Sequence, residues 1–351
     1  MNTAVINNSP NPTGSARSQG VWAAAWKRLK ADRVGMVSLY IVAAFMALVA
    51  LTLANVVAAN WQDEVGVPNA PPHFVGPKPA EAVGAIAVPT GPNVDISDID
   101  PLAPKYKEWE EAAKKYKTVE AVKAETLILG GDRLGRDILQ KVIRGAEVSI
   151  VVGLLAATLA TLIGTLLGAL SGFFGGKVGD LLEWVYNVFT AIPSILLIFA
   201  FAVIFGRGVL SVVMILGLTG WTGIYRLIRA EFMKHRQREY VRAAEAIGAS
   251  TSSRMFKHIL PNVSHVALVQ LSLHVVSFIK YEVILSYLGL GVSVDQVSWG
   301  TMLSEAQSEL ILGYWWQLAA VTTFMALFVT AFALFTDALR DALDPKLRGL
   351  E

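Results

Sequence analysis

The sequence predicts an all-α polytopic membrane protein with six transmembrane helices, and three observations predict it. Of its 351 residues, 54% are hydrophobic and 17% charged, whereas an average soluble domain carries about 25% charged residues. Mean hydropathy is +0.50. Six stretches supply the roughly 20 apolar residues that a bilayer-spanning helix needs: residues 34–59, 149–173, 182–205, 209–228, 263–288 and 314–336. Open strands cannot expose their backbone to lipid, so these runs are read as helices. Finally, Lys and Arg are distributed asymmetrically among the loops, which sets an orientation.

Residues 1–33 read as a cytoplasmic N-terminal segment, polar to Gly20 and then basic through "WKRLKADR". The apolar run 34–59 is too long for a signal-peptide core, so it is read as a retained first transmembrane helix. Residues 60–146 are then an extracytoplasmic loop. Its first part is rich in Pro and Gly and is expected to be irregular. Its second part places Tyr106, Trp109, Tyr116, Val119 and Val122 near one helical face, predicting a short surface helix packed on the membrane domain. A role of this insertion in substrate selection is the alternative.

Residues 147–336 form a five-helix core, followed by a cytoplasmic tail at 337–351. Gly164, Gly168 and Gly172 recur every fourth residue of the second span and predict close approach of another helix. The third and fourth spans are separated only by "GRG", which predicts a tight hairpin. Seven basic residues against three acids mark the loop after the fourth span, while residues 289–313 carry three acids and no base. Both termini and the loop at 229–261 are therefore expected on the cytoplasmic side.

That loop contains "EYVRAAEAIGASTSSRMFKHILPN". Its first half reads as a helix with Val241, Ala244 and Ile247 along one side, stopped at Gly248, where glycine accepts a left-handed backbone. Ser250 or Thr251 is placed to cap a second helix carrying Met255, Phe256, Ile259 and Leu260. Pro261 is expected to prevent that helix from continuing. Periodicity leaves two readings open: an interfacial anchor, or a docking element whose ridge of Ala243, Ala244 and Ala246 fits a groove on a partner.

The segment resembles the EAA loop of ATP-binding-cassette importer permeases. Ala243 and Ala244, Gly248 and Leu260-Pro261 fall at that family's spacing, whereas Arg242 and His258 depart from it. Both departures are similar to the peptide-importer branch. "LGRDILQKVIRGAEVSI", "GFFGGKVGD", "IPSILLIF", "GWTGIYRLIRAEF" and "EVILSYLGLGVSVDQVSWGTML" also resemble that branch, in the expected order. The resemblance covers about residues 20–50 and 128–345 and omits the insertion at 60–125. It implies a type I permease fold and a subunit of a dipeptide/oligopeptide-type importer in a bacterial inner membrane. Implied partners are a second, homologous permease, two ATPase subunits, an extracytoplasmic substrate-binding protein, a peptide substrate and membrane lipid, with no nucleic acid. ATP and magnesium would be bound by the ATPases.

The same resemblance assigns ATPase docking to Glu239, Tyr240, Arg242, Ala243, Ala244, Gly248, Ala249, Ser250, Leu260 and Pro261. It marks Asp132, Gly135, Arg136 and Asp137 as an extracytoplasmic signature, whose charges would cap the second span and brace the scaffold, or else contact the delivered binding protein. Charged residues within spans are costly and point to interior faces, so Lys280, Glu282 and His274 are pathway candidates. Lys280 and Glu282 point about 200° apart on a helix and should not pair. Snorkelling of Lys280 to the interface, a structural role for Glu282, and a satisfied helix–helix contact for His274 are the alternatives.

Other chemistries lack support. The chain has no cysteine, and its five histidines show no ligand spacing. "GGKV" at 175–178 lacks the spacing and hydroxyl of a phosphate-binding loop, so ATP hydrolysis is not assigned to this chain. Related systems carry dipeptides, longer peptides, glutathione, nickel chelates or peptide antibiotics, and the sequence does not choose among them. A self-sufficient secondary transporter is a remaining alternative, although no inverted repeat is evident.

Overall fold

A computed structural model describes residues 21–77, 101–115 and 123–343. Among them the regular elements are helices, with three isolated bridges and no strand. Asp32 opens the first membrane helix by accepting the Val34 N–H at 3.0 Å. Helix α1 (Val21–Ala31) precedes it, and α2 (Arg33–Leu53) is shorter than the expected run to 59. Asn55 and Ala58 adopt positive φ, so the chain turns there instead of continuing as helix.

Helix α3 (Ala103–Lys115) is the surface helix expected in the insertion. It does not pack on the membrane domain as predicted: its residues 104–113 are all exposed, and Tyr106 instead meets Trp109 at 5.9 Å. Tyr116, Val119 and Val122 lie outside the described residues. The insertion's first part, 60–77, lacks regular structure but is pinned to 123–137. Gly66 N–H donates to Gly135 O at 2.9 Å, Val67 N–H to Ala124 O at 2.9 Å, and His73 N–H to Leu127 O at 2.8 Å.

Helix α4 (Ile138–Phe174) begins well before the predicted 149 and runs for 37 residues. At 1.5 Å per residue it outreaches a hydrocarbon core of about 30 Å, so its polar first turns project beyond the apolar layer. The five-helix core accordingly starts at 138 and not at 147. The predicted single span 182–205 is two helices, α5 (Gly176–Ala191) and α6 (Ser194–Phe205), bent by 89°. Pro193 explains the break. The residue before proline is pushed to extended backbone, and Ile192 has φ −98° and ψ 132°.

The expected hairpin follows, with Gly206 and Gly208 at positive φ between α6 and α7 (Val209–Thr219). Helix α8 (Trp221–Arg236) continues α7 in one membrane-length unit. The glycine stripe of α4 seats against α8 in parallel register. A Cβ at Gly164, Gly168 or Gly172 would fall 2.7, 2.7 or 2.5 Å from the carbonyl oxygens of Trp221, Tyr225 and Arg229. Because α4 and α7–α8 run parallel, α5 and α6 must carry the chain back across the full thickness. The bent pair is therefore a broken span, giving six crossings.

After α9 (Glu239–Ala246) comes a π-helical segment, Ser253–Ile259, that runs directly into α10 (Leu260–Tyr287). Helices α11 (Trp299–Ile311) and α12 (Trp316–Leu343) complete the fold. Helix α12 runs past the predicted end at 336, so the segment expected as a tail from 337 is still helical to Leu343. Its last turns pack on the start of the chain, where Leu29, Ala338, Ala342 and Leu343 form a cluster. Leu227, His265, Arg340 and Leu343 line one cavity. The described beginning and end of the chain thus share one end of the molecule with the loop after α8. The insertion and residues 289–316 occupy the other.

Candidate functional site

The loop between α8 and α10 is built by three local devices. First, α9 closes in a Schellman motif: Gly248 at φ +84° donates its N–H to Glu245 O at 2.9 Å, and Ala249 N–H donates to Ala244 O at 2.9 Å. Second, Ser250 Oγ accepts the Ser253 N–H at 3.3 Å and caps the next helical run, as the sequence suggested. Third, the widened π segment alters what Pro261 does. Proline was expected to interrupt the helix here, yet the run is helical from Thr251 to Tyr287. Leu260 N–H bonds five residues back to Met255 O, and the Asn262 side-chain amide reaches His258 O at 2.7 Å, in place of bonds an α-helix would require.

The underside of this cassette is clamped onto the spans. Val241, Met255, Ile259 and Val263 pack with Ala169, Phe173, Ile224, Ile228 and Phe232. Ala244 is buried as well, at 4% exposure, so it does not belong to the docking ridge predicted for it. Ile247, expected beside Val241 and Ala244, is 85% exposed because the Schellman turn swings it outward. The outward apolar face is instead Tyr240, Ala243, Ala246 and Ile247, flanked by exposed Glu239 and Arg242. Gly248, Ser250 and Pro261 are exposed, whereas Ala249 and Leu260 are half-buried. Arg254 pairs with Glu245 and ties the two halves together. Tyr240 OH lies 2.7 Å from His235 Nδ1; its burial, only partly offset by Asn262 and Arg238, raises the phenol above its ordinary range.

At the opposite end, the signature forms an ion cluster. Asp132 is fully buried; its Oδ1 accepts the Leu134 and Arg136 N–H groups at 2.9 and 3.0 Å. Its Oδ2 accepts Arg136 Nε and Lys141 Nζ, each at 2.7 Å. Burial works to raise the Asp132 carboxyl, but Lys141 and Arg136 outweigh it and hold the group below its ordinary value. Lys141 also donates to Glu305 Oε2 at 2.5 Å, which takes Gln317 Nε2 at 3.2 Å. Gly135, at φ +80°, lies so close to Gly66 that a Cβ would fall 2.0 Å from its carbonyl oxygen. Asp137 Oδ1 caps α4 by accepting Leu139 N–H at 2.8 Å. Asp137 thus caps the span, while Asp132, Gly135 and Arg136 are engaged in packing and ion pairs within this chain.

Sequence reasoning missed Lys141, Glu305, Glu309 and Gln317. One signal was available for Lys141. It shares a helix face with Ile138 and Gly145, and a charge on an apolar face requires a buried partner. Glu309 Oε1 accepts Arg133 N–H at 3.0 Å, and burial raises its carboxyl above the usual range.

The three pathway candidates are not brought together. Glu282 is fully buried inside this chain and accepts Ser286 Oγ at 2.7 Å. Lys280 is exposed, pointing away from it as expected. His274 has Nδ1 2.8 Å from Gln270 O and Nε2 3.2 Å from Gly220 O, bridging α10 to the α7–α8 junction. Among the described residues, no group of three or more His, Asp or Glu side chains is placed to hold a metal.

Six apolar crossings, helix-on-helix packing through glycines and one ordered polar loop define a multi-pass membrane protein. Residues 164–349 match the family described as the inner membrane component of binding-protein-dependent transport systems, and the chain belongs to that family. Its architecture is the type I permease fold. The oligopeptide transport system permease protein OppC of Bacillus subtilis (strain 168) is 36% identical over 247 residues, covering 70% of this chain and 81% of that protein. The dipeptide transport system permease protein DppC of Lactococcus lactis subsp. cremoris (strain MG1363) is 28% identical over 322 residues, covering 92% and 90%. OppC of Escherichia coli (strain K12) is 39% identical over 219 residues, covering 62% and 72%.

Proposed function

We propose that this chain is one permease subunit of an ATP-driven importer that moves di- and oligopeptides across the inner membrane. It pairs with a second, homologous permease, takes peptide from an extracytoplasmic binding protein, and rests on two ATPase subunits that bind ATP and magnesium. Both of its termini are cytoplasmic. The cargo assignment is supported by the names of the relatives above. The observation that carries the mechanism is the cassette: it is braced beneath by the spans and presents Tyr240, Ala243, Ala246 and Ile247 outward.

Its connections suit it to transmit displacement. Only Gln237 and Arg238 separate α8 from α9, and the π segment is continuous with α10. A push on the cassette therefore reaches two core helices with little slack, and packed cores respond to such shifts as units. Small outward residues let a partner groove close over α9, while Arg238, Glu239 and Arg242 set register by charge. In this reading Lys280 faces the pathway or the second permease.

Reconstituted complexes test it. Ala243→Arg should reduce ATP-driven peptide uptake by about tenfold or more, the cost of ~1.4 kcal/mol in the docked contact, while the subunit inserts normally. Unchanged uptake would remove the docking role.

A further inference from the structure

A second site lies between the cassette's underside and the ends of α4 and α8, in a cavity of about 460 Å³. Its wall carries Arg229, Arg236, Arg242 and Arg254, opposed there by one carboxylate, Glu245. Arg229 is held by Glu183 at 3.0 Å and by Ser171 Oγ at 3.1 Å, and Arg254 pairs with Glu245. Arg236 and Arg242 make no ion pair among the described residues.

Two features show that this charge is unbalanced. The guanidinium groups of Arg236 and Arg254 both lie on the ring of Phe173, at 5.8 and 5.6 Å. Glu245 already sits beside Arg254, so Arg236 and Arg242 are the charges left without a counter-ion among the described residues. Moreover, Arg254 Nε is buried and has no acceptor among the described residues, a state that buried donors rarely tolerate. A forked guanidinium suits phosphate oxygens best.

We infer that this cavity binds a phosphate-bearing anion. Its position at the end of α4 favours a phospholipid headgroup. Phe173 is the penultimate residue of α4, and Phe174, Val178 and Leu181 beside it are exposed apolar surface against which acyl chains can lie. The cavity is also walled by Val241, on the face of α9 opposite the exposed Ala243 and Ile247. It shares Arg242 with the rim of the docking face but opens on the other side of α9. Binding there would stiffen the floor under the cassette. The site does not depend on the proposed transport activity.

Thermal unfolding of the detergent-solubilised complex tests the inference, with phosphatidylglycerol, phosphatidylcholine or inorganic phosphate added. Phosphatidylglycerol should raise Tm by several degrees more than phosphatidylcholine, and Arg236→Gln should remove at least half of that difference. A matching rise from millimolar inorganic phosphate alone would keep the site and assign it to a soluble anion. Equal shifts from both lipids with none from phosphate would overturn the proposal, as would an undiminished difference in Arg236→Gln. Should the variant fail to assemble, hydrogen exchange on the wild-type complex decides. Residues 229–254 should gain protection with phosphatidylglycerol, and no gain there rejects the site.

Discussion

The two ends of this molecule use charge in opposite ways. At the signature end, Asp132, Arg136, Lys141 and Glu305 are drawn into one cluster, and Lys141 and Asp132 have no exposed side-chain surface. At the cassette end, Arg236, Glu239 and Arg242 stay exposed, and the ordered backbone is held by an apolar underside and helix caps. A buried ion cluster fixes one geometry, because removing any member strands the others. A capped loop seated on a greasy floor can shift as a body without breaking charge pairs. The difference teaches where the fold is locked and where it is arranged to meet something else.

Breaking the locked end should have the largest effect. Lys141→Met leaves Asp132 and Glu305 short of a buried cation and is expected to cost about 3–5 kcal/mol, read as a fall in thermal stability of the purified complex. Next comes the split at the cassette. Ala243→Arg should abolish most uptake at unchanged Tm, whereas Ala244→Arg should lower both, since Ala244 is buried against the spans. If the two variants behave alike, the assignment of faces is wrong.

Gly168→Val probes the packing that links the ends. Its Cβ would fall 2.7 Å from Tyr225 O, and the overpacking should cost about 1–3 kcal/mol of stability. Gly248→Ala asks less, about 1–2 kcal/mol for a left-handed non-glycine residue, and should appear as faster hydrogen exchange confined to 239–259. Acid gives the subtlest contrast. Asp132 lies below its ordinary value of 3.8 in the folded chain, so its contribution is complete above that pH and is lost as pH falls below it. Protection at 131–141, relative to the intrinsic exchange rate at each pH, should therefore fall below about pH 3.8, before protection at 239–259 does.

Much of this architecture was legible because membranes impose long apolar runs, and because caps are local. Asp137, Gly248 and Ser250 act within a few residues of themselves, and the glycine stripe needs only a period to be seen. What stayed hidden depends on distant partners or cancelling local effects. Lys141 meets Glu305, 164 positions away, so no window of sequence contains the pair. Pro193 and Pro261 look alike in sequence, yet one bends its span by 89° while a π turn carries the other inside a continuous helix. Alanine periodicity marked a ridge at 243–246, but which alanine faces out depends on where α9 meets Phe232 and Ile259.

The most direct test of the account exploits a chain that contains no cysteine. A single Ile247→Cys in the assembled complex, compared with Val294→Cys at the other end, can be cross-linked with a short bifunctional reagent. Both parent residues are more than four-fifths exposed, at 85% and 87%. The account predicts that Cys at 247 joins the ATPase subunit and that cross-linking stops uptake, while Cys at 294 does not reach that subunit. An ATPase adduct at 294 and none at 247 would contradict it.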